Sequence, residues 1–355
     1  MRSDIINKIA INYPDKLAFA FNPCICIAAS AGGGEVGWTE TECGGHTLRI
    51  KAHDNTCRWD IRELLQAAIR EKDVAGDTQW TVEYTIRVYN PEGTLLAEKR
   101  AESFTVWGAL RRGETWNTGR RLAYFEGYPF DFQVYLSGHA GKLIVYNDGR
   151  PDGMIDTEEY EGLYRYELPQ SAAPARDRYE VRDFTGTVEQ VTFDGNFDLT
   201  FRYAFEGTEQ SVLTIDVMDT TFEYPVYLRW INRHGFTCYW LFRGGERRRQ
   251  VETQADYVRN NLREYNAETR LGDLSNRRMA YGRTDTWEIC APMVDRERFD
   301  WLQDVTTSPC VDMWHKDTGT WESVTVSEGT YTMGTEQMQD FILNITTQDW
   351  DIQRQ

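Results

Sequence analysis

The sequence predicts a mainly β chain that folds into two to three β-sandwich-like or barrel-like domains with a few short helices. Aromatic residues make up 13% of the 355 residues, and aromatic residues stabilise sheets by pairing across neighbouring strands. Short strand-like runs separated by turn residues recur along most of the chain, which is typical of sandwiches and barrels. Because a single core rarely grows beyond about 250 to 300 residues, the length predicts more than one domain.

Residues 227–242, YLRWINRHGFTCYWLF, predict a β-hairpin around which the chain is organised. Two aromatic arms flank the polar segment 232–235, which ends in Gly, the residue that tight connections most often need. The aromatic side chains either fill a core or form a binding surface, since Trp and Tyr are enriched at interfaces. Core filling is the favoured interpretation, so we expect Trp230 and Trp240 to be largely buried.

The first predicted domain covers residues 1–110 and contains one short helix. The segment that begins at Asp60, DIRELLQAAIREKD, predicts this helix, because Asp60 and Glu63 form a capping box and apolar residues recur at helical spacing. The glycine-rich segment 31–37 lacks the GxxxxGK[ST] pattern of a phosphate-binding loop and predicts a hairpin loop. Strands are predicted at residues 16–29, 47–52, 56–59, 80–89 and 94–106.

The second predicted domain covers residues 117–243. The preceding segment 107–116, WGALRRGETW, is polar and contains Gly, which marks a linker. Turn residues divide the domain into short strands, as expected for a sandwich or barrel. These strands are predicted at residues 130–136, 142–146, 160–167, 179–183, 187–193, 199–205 and 212–217.

The third predicted domain covers residues 244–355 and combines strands with one helix. Its first part, to about residue 280, is polar and gives only a weak helical signal. A short helix is predicted at residues 296–304, with Asp295 as its N-cap. Strands are predicted at residues 285–290, 310–315, 321–326 and 340–346.

The charge of the chain limits its partners. A net charge of −17 opposes nucleic-acid binding, because phosphates must be neutralised by Lys and Arg. The run Arg247, Arg248 and Arg249 is a local exception, which predicts either a contact with a phosphate or acidic partner or a solvated loop. The sequence has neither a signal-peptide pattern nor a long apolar run, so we expect a chain made in the cytoplasm that does not contact membranes. Seven Cys in this context favour reduced thiols.

Two groups of residues have the composition of metal sites without the required spacing. The first group is Cys24, Cys26, Cys43, His46, His53 and Cys57, for which ordinary thiols are favoured over a structural zinc site. The second group is the acidic segment 148–159. Pro151 and the flanking strands contradict an EF-hand there, so a solvated loop is favoured over loose Ca²⁺ binding.

Catalytic motifs such as GxSxG and HExxH do not occur in the sequence. The chain is therefore predicted to be a non-enzyme without a cofactor.

The hairpin sequence also carries a family resemblance. It is similar to the YL-x-W-[LI]-N-x-x-G-x-x-x-Y-W-x-F hairpin of virion structural proteins from tailed phages and prophages of Bacteroides-group bacteria. The segment 19–23, FAFNP, and a C-terminal block containing Ser308-Pro309, GTWE at 319–322 and VTV at 324–326 extend the resemblance to both ends of the chain. The resemblance implies a tail-associated or head-tail structural role and no catalytic residue.

Two functions of different classes follow. The first is a structural subunit of a phage or prophage tail, located in the tail, baseplate or head-tail connecting region, that assembles with itself in a ring and with other virion tail proteins. The alternative is a carbohydrate-binding β-sandwich module used in receptor attachment, with two or three coplanar exposed aromatic rings in a groove. An uncharacterised hydrolase ranks below both. The structural or interface candidates are Trp230, Tyr239, Trp240, Arg247, Arg248 and Arg249, and the loops 31–37 and 107–116 are further contact candidates.

Overall fold

The fold of the chain is mainly β, which confirms the predicted fold class. It divides into two compact units, of which the first combines Met1–Asp219 with Trp230–Trp240 and the second combines Thr220–Arg229 with Leu241–Gln355. The predicted division into three domains stays a prediction. The computed structural model describes residues 1–70, 81–111, 120–136, 142–157, 162–168, 175–192, 201–258, 276–329, 331, 334–347 and 350–354.

Sixteen strands and one helix precede the aromatic hairpin in the described part of the chain. They are β1 (Arg2–Ile6), β2 (Ile9–Tyr13), β3 (Leu17–Phe19), β4 (Ile25–Ser30), β5 (Trp38–Cys43), β6 (His46–Lys51), β7 (Thr56–Asp60), α1 (Arg62–Arg70), β8 (Thr81–Tyr89), β9 (Leu95–Val106), β10 (Arg120–Phe125), β11 (Asp131–Leu136), β12 (Lys142–Asn147), β13 (Arg150–Asp156), β14 (Gly162–Glu167), β15 (Arg178–Thr192) and β16 (Phe201–Met218).

The strands of the hairpin contribute residues to both units, and the elements after it belong to the second unit. The hairpin strands are β17 (Pro225–Ile231) and β18 (Thr237–Val258). The later elements are β19 (Asn276–Asp295), α2 (Arg296–Leu302), a 3-10 helix (Gln303–Thr307), β20 (Val311–His315), β21 (Thr320–Ser323), β22 (Thr325–Val326), β23 (Met338–Thr346) and β24 (Trp350–Arg354). Neither α-helix of the described residues has the length and apolar character that a membrane crossing requires.

The N-terminal part of the first unit is a β-sandwich. One sheet has the order β1-β2-β4-β7 and the other has the order β3-β9-β8-β5-β6. Their facing residues share one core, in which Cys26 and Trp59 of the first sheet meet Tyr84 and Ile86 of the second. The indole Nε1 of Trp59 donates a hydrogen bond of 2.9 Å to Oγ1 of Thr41. The sequence alternates Val82, Tyr84, Ile86 and Val88 with polar residues, which predicts a half-buried strand, and every second residue of β8 is indeed buried.

Helix α1 begins where the capping pattern predicts. The carboxylate of Asp60 accepts a 2.9 Å hydrogen bond from the backbone N–H of Arg62, which satisfies one of the free donors at the helix start. Leu65 and Ile69 are fully buried and join the core of the sandwich. The apolar stripe therefore fixes this helix against the sheets, while the last predicted residues of the helix lie outside the described part.

The glycine-rich segment 31–37 is a loop, but the prediction of a hairpin was wrong. It connects β4 in one sheet with β5 in the other, so it crosses the sandwich edge. A Cβ atom on Gly37 would overlap the backbone of Asn90 and Pro91, and the Gly37 N–H donates a 2.8 Å hydrogen bond to the carbonyl of Tyr89. Close approach of two backbones explains Gly at this position.

The remaining strands of the first unit form a five-stranded sheet with the order β10-β16-β15-β12-β13 and a two-stranded sheet of β11 and β14. The sequence divided β15 and β16 into two strands each, and this division was wrong. The residues between the predicted strands 179–183 and 187–193, which are Phe184, Thr185 and Gly186, continue the antiparallel ladder between β15 and β16. Backbone pairing thus extends through segments whose side chains carry no clear strand pattern.

Strands β15 and β16 extend beyond their sheet as a two-stranded ribbon. The β12 strand pairs with β15 only as far as Phe184, and β10 pairs with β16 only from Leu213 onwards. Residues 185–192 and 201–208 pair with each other, and no third strand pairs with them in the described residues. We call these residues the β15–β16 ribbon. Eight residue pairs correspond to a length of about 27 Å.

A pair of glycines lies at the base of this ribbon. Gly186 and Gly207 are directly opposite each other in the ladder. A Cβ atom on Gly207 would overlap the carbonyl oxygen of Thr185 and approach the Cα atom of Gly186. The backbones therefore come closer here than any side chain permits, which is the usual reason for Gly inside a strand.

The second unit is built on a sheet with the order β21-β20-β17-β18-β19-β23-β22, to which β24 adds by pairing with β19. The carboxylate of Asp295 accepts a 2.8 Å hydrogen bond from the backbone N–H of Arg298, which confirms the predicted N-cap of α2. The ring of Phe299 packs edge to face on Phe341 of β23 at 5.2 Å. This contact places α2 against the core of the unit.

The weak helical signal of the polar stretch after residue 242 does not correspond to a helix at Tyr257, which lies in a strand. Strand β18 continues to Val258 and pairs with β19, which begins at Asn276. The residues that gave the weak helical signal fall partly in β18 and partly in 259–275, outside the described residues. Charged side chains on both strands interrupt the alternation that would predict a strand. The two segments are strands because their backbones pair with each other.

The predicted aromatic hairpin is confirmed. The N–H of Asn232 donates a 2.8 Å hydrogen bond to the carbonyl of Phe236, and Gly235 has a φ of 84°, which favours Gly. Trp230 is 1% exposed and Trp240 is 4% exposed, as expected for core residues. In the first unit, the ring of Trp240 packs edge to face on Phe125 at 5.5 Å.

Replacing Trp240 by Ala is expected to lower the free energy of unfolding by about 3–5 kcal/mol, because truncation of a buried aromatic side chain leaves a cavity. Urea unfolding measures the change. Tyr224→Ala is the matched control, since Tyr224 is 70% exposed, and its truncation should change the free energy by less than about 0.5 kcal/mol. Equal stability of the Trp240→Ala protein and its parent would contradict the packing role.

Candidate functional site

The residues predicted as structural or interface candidates separate into two kinds. Trp230, Tyr239 and Trp240 are buried, so they stabilise the fold and offer no surface to a partner. The three consecutive arginines are exposed on β18. Successive residues of a strand face opposite sides of the sheet, so Arg247 and Arg249 share one face and Arg248 lies on the other.

Arg247 and Arg249 belong to a cluster that the sequence does not place together. The Nη2 atom of Arg247 lies 2.8 Å from Oδ2 of Asp285, and Nε of Arg249 lies 2.9 Å from Oδ1 of the same carboxylate. A third guanidinium, from Arg283, donates to both oxygens of Asp285, with Nε at 3.0 Å from Oδ1. We call Arg247, Arg249, Arg283 and Asp285 the arginine cluster.

The carboxylate is the buried centre of the arginine cluster. Only 5% of the Asp285 side chain is exposed, whereas 49% of Arg247 and 53% of Arg249 face solvent. Hydrogen bonds from Arg283, and then from Arg249 and Arg247, hold the pKa of Asp285 far below its usual value, although burial acts in the opposite direction. Three guanidiniums against one carboxylate leave the cluster with excess positive charge.

The cluster adjoins buried residues of the second unit. On the same face of β19, Trp287 is opposite Ile345 and Ile289 is opposite Leu343, and the side chains of Ile345 and Leu343 are buried. Asp285 is the next residue on that face. The guanidinium of Arg247 lies 4.4 Å from the centroid of the Trp287 ring, so the aromatic side chain also holds this arginine in place.

A second candidate is an aromatic cleft in the N-terminal sandwich, with a volume of about 800 Å³. Trp38 and Tyr89 stack in parallel with centroids 4.0 Å apart, and the guanidinium of Arg49 lies 5.6 Å from the Trp38 ring. Arg49 comes from β6 and Tyr89 from β8, which lie on opposite sides of β5. The cleft is lined by Glu35, Val36, Gly37, Trp38, Arg49, Ile50, Lys51, Ala52, Asp54, Asn55 and Pro91.

A balanced network of charges continues from the cleft along the outer face of this sheet. The Nη1 atom of Arg87 lies 3.2 Å from Glu40 and 2.9 Å from Glu42, and its Nε lies 3.0 Å from Glu98. Arg49 lies 2.7 Å from Glu40. The shared guanidiniums offset the repulsion between these carboxylates. The network therefore fixes the strands that form one wall of the cleft.

The cysteines of the first domain are core residues. Cys24, Cys26, Cys43 and Cys57 are all buried. The thiols of Cys24, Cys43 and Cys57 lie near carbonyl oxygens, as for the Cys43 Sγ, which is 3.8 Å from the carbonyl of Leu64. Burial raises the pKa of both Cys24 and Cys43 to about 11, which opposes the thiolate form that binds zinc. Within the described residues, no group of three or more His, Cys, Asp or Glu side chains is arranged to hold a metal ion.

The acidic segment 148–159 begins with a tight turn between β12 and β13. The carboxylate of Asp148 accepts hydrogen bonds of 2.9 to 3.1 Å from the backbone N–H groups of Arg176, Asp177 and Arg178. These bonds lower the pKa of Asp148. The first carboxylate of the segment therefore organises a neighbouring loop of the same chain. Residues 158–159 lie outside the described part.

Comparisons with known proteins identify no family. No protein-family model and no curated protein sequence matches the chain. Among solved structures, the fibronectin(III)-like modules of Clostridium thermocellum CbhA align with 9% identity and a TM-score of 0.20, covering 61% of this chain and 97% of theirs. A bacterial ice-binding adhesin aligns with 9% identity and a TM-score of 0.19, covering 98% of each chain. Similarities this low carry no argument about function.

Replacing Asp285 by Asn is expected to lower the free energy of unfolding by about 1–3 kcal/mol at pH 7, because three guanidiniums lose their charged acceptor. The folded-state pKa of Asp285 is lowered, so its contribution is fully present above the unfolded value of about 3.9 and is lost as the pH falls below it. Urea unfolding at pH 7 and pH 3 measures the difference between parent and variant.

The matched control for this prediction is Asp317→Asn, because Asp317 is exposed in a turn. This variant should match the parent at both pH values. A stability difference between parent and Asp285→Asn protein that stays constant from pH 7 to pH 3 would show that the charge of Asp285 does not stabilise the cluster.

Proposed function

We propose that this chain is a non-enzymatic structural subunit of a phage or prophage tail, which assembles with copies of itself and with other virion proteins. The observation that supports assembly is the β15–β16 ribbon. Its outer backbone edges have no strand partner in the described residues, and it extends about 27 Å beyond the sheet that supports its base. The resemblance of the hairpin to tail-associated proteins supports the location in a virion.

The physical argument for the ribbon rests on its edges. A two-stranded ribbon alone in water is only marginally stable, and its free N–H and C=O groups are a template for another strand. Pairing with a neighbouring subunit would satisfy these groups and add main-chain hydrogen bonds to the interface.

The test is a variant in which residues 187–206 are replaced by Asn-Gly, so that Gly186 and Gly207 are joined by a two-residue turn. We expect light scattering to give the parent a mass above its monomer mass of 41.3 kDa at micromolar concentration, and the variant the monomer mass. Trp38→Ala, which leaves the ribbon intact, is the control and should assemble like the parent.

The virion location is tested separately, by mass spectrometry of phage particles released from a bacterium whose prophage encodes this chain. Presence of the chain in purified particles supports the tail assignment. A parent protein that is monomeric at all concentrations and absent from particles would contradict the proposal, whereas self-assembly without incorporation would contradict only the virion location.

A second candidate function is carbohydrate binding in the aromatic cleft. The observation that favours it is the half-buried Trp38 in an open cleft that also offers acidic, basic and amide side chains, which is the composition of polar-ligand sites. The Trp38 and Tyr89 rings are parallel but stacked on each other rather than side by side. Trp38 is the aromatic residue that lines the cleft, and Tyr89 stacks on it without lining the cleft, so the row of coplanar rings expected for a sugar platform is not formed by these two residues.

If the cleft binds sugars, Trp38→Ala protein should migrate without retardation in gels that contain the bacterial surface polysaccharide, whereas the parent should be retarded. Trp314→Ala is the matched control, because Trp314 is a similarly half-buried tryptophan in the second unit. The variant lacking residues 187–206 should bind like the parent. Retardation of all four proteins, or of none, would contradict sugar binding in this cleft.

A further inference from the structure

We propose that Arg247, Arg249 and Arg283 form a preformed binding site for an oxyanion, which is a phosphate or carboxylate group with at least two terminal oxygens. The site is the exposed side of the arginine cluster, on one face of the β18–β19 ladder. This inference is independent of the proposed tail function, because it concerns the chemistry of one surface and not the partner that carries the anion.

The first step of the argument is position. Each of the three guanidiniums contacts the single carboxylate of Asp285, at nitrogen–oxygen distances of 2.8 Å for Arg247, 2.9 Å for Arg249 and 3.0 Å for the Nε atom of Arg283. Asp285 is buried, and Trp287 packs against Arg247. Three long side chains are thus held together before any ligand arrives, which lowers the entropy cost of binding.

The second step is the supply of donors. A guanidinium has five N–H groups, and the hydrogen bonds to Asp285 use one nitrogen of Arg247 and one of Arg249. About half of each of these two side chains is exposed. Their remaining N–H groups form a planar fork, which matches the spacing of two oxygens in a carboxylate or phosphate.

The third step is charge. The arginine cluster has three positive groups and one negative group, so an anion would meet attraction. The network around Arg87 has no such excess, because Arg49, Arg87 and Arg100 pair there with the three carboxylates of Glu40, Glu42 and Glu98. Of these two arginine networks, only the one around Asp285 has the charge of an anion site.

Arg248 provides an internal comparison. It lies between Arg247 and Arg249 in the sequence but on the opposite face, where it pairs with Glu246 at 3.0 Å. Glu288 also acts on it electrostatically. Arg248 is more exposed than its neighbours, and the partners recorded for it among the described residues are the carboxylates of Glu246 and Glu288. Exposure alone therefore does not distinguish the site, whereas convergence of guanidiniums does.

The experiment is isothermal titration calorimetry of the full chain at pH 7 with inorganic phosphate as the probe, at constant ionic strength adjusted with chloride. We expect the parent to bind phosphate and the Arg247→Gln/Arg249→Gln protein to bind it at least about tenfold more weakly, which corresponds to the loss of one charge-assisted hydrogen bond. Arg248→Gln is the matched control and should bind phosphate like the parent.

No phosphate binding by the parent would overturn the proposal, and this result does not depend on whether any variant folds. Equal binding by the parent and the double variant, or an equal loss in Arg248→Gln protein, would also overturn it, because the anion would then respond to total charge. Titration with acetate distinguishes the sources of the oxyanion: tighter binding of phosphate supports a phosphoryl ligand, and tighter binding of acetate supports a carboxylate ligand.

Discussion

Backbone pairing along a few long strands is the constraint on which the rest of this structure depends. The ladders of β15 with β16 and of β18 with β19 begin inside packed sheets and extend into segments of mixed polar sequence. A backbone N–H or C=O group needs a partner whether or not its side chain is buried, so the ladder persists through polar sequence. Both candidate assembly features, the β15–β16 ribbon and the arginine cluster, lie on these extensions.

This constraint explains which parts of the fold the sequence could predict. Helices α1 and α2 were predictable because Asp60 and Asp295 cap them locally. The aromatic hairpin was predictable because both arms are apolar and the turn contains Gly235. The extension of β18 was not predictable, since it depends on pairing with β19, which begins 18 residues after β18 ends, and several of its own side chains are charged.

The candidate site shows the same limit more sharply. The consecutive arginines at 247–249 are visible in the sequence, but their division between two faces requires the strand, and Asp285 reaches Arg249 only through the register that pairs these two residues. The alternation of Arg283, Asp285 and Trp287 on β19 was the available signal. It gains meaning only with the partner strand, because a cross-strand pair cannot be derived from either strand alone.

The ratio of arginines to carboxylates distinguishes the network around Arg87, which supports the fold, from the arginine cluster, which is available to a partner. The guanidinium of Arg87 is largely covered and shared by carboxylates of β5 and β9, so it serves mainly to fix neighbouring strands. The arginine cluster departs from this balance while its carboxylate stays buried, which leaves positive charge fixed in position on a chain whose net charge is −17. Copies of an acidic chain repel each other at long range, and a local basic surface of fixed geometry reduces that repulsion only in orientations that place an acidic group against it. Electrostatics would therefore select the orientation in which two copies meet. The edges of the β15–β16 ribbon would then supply hydrogen bonds between the copies.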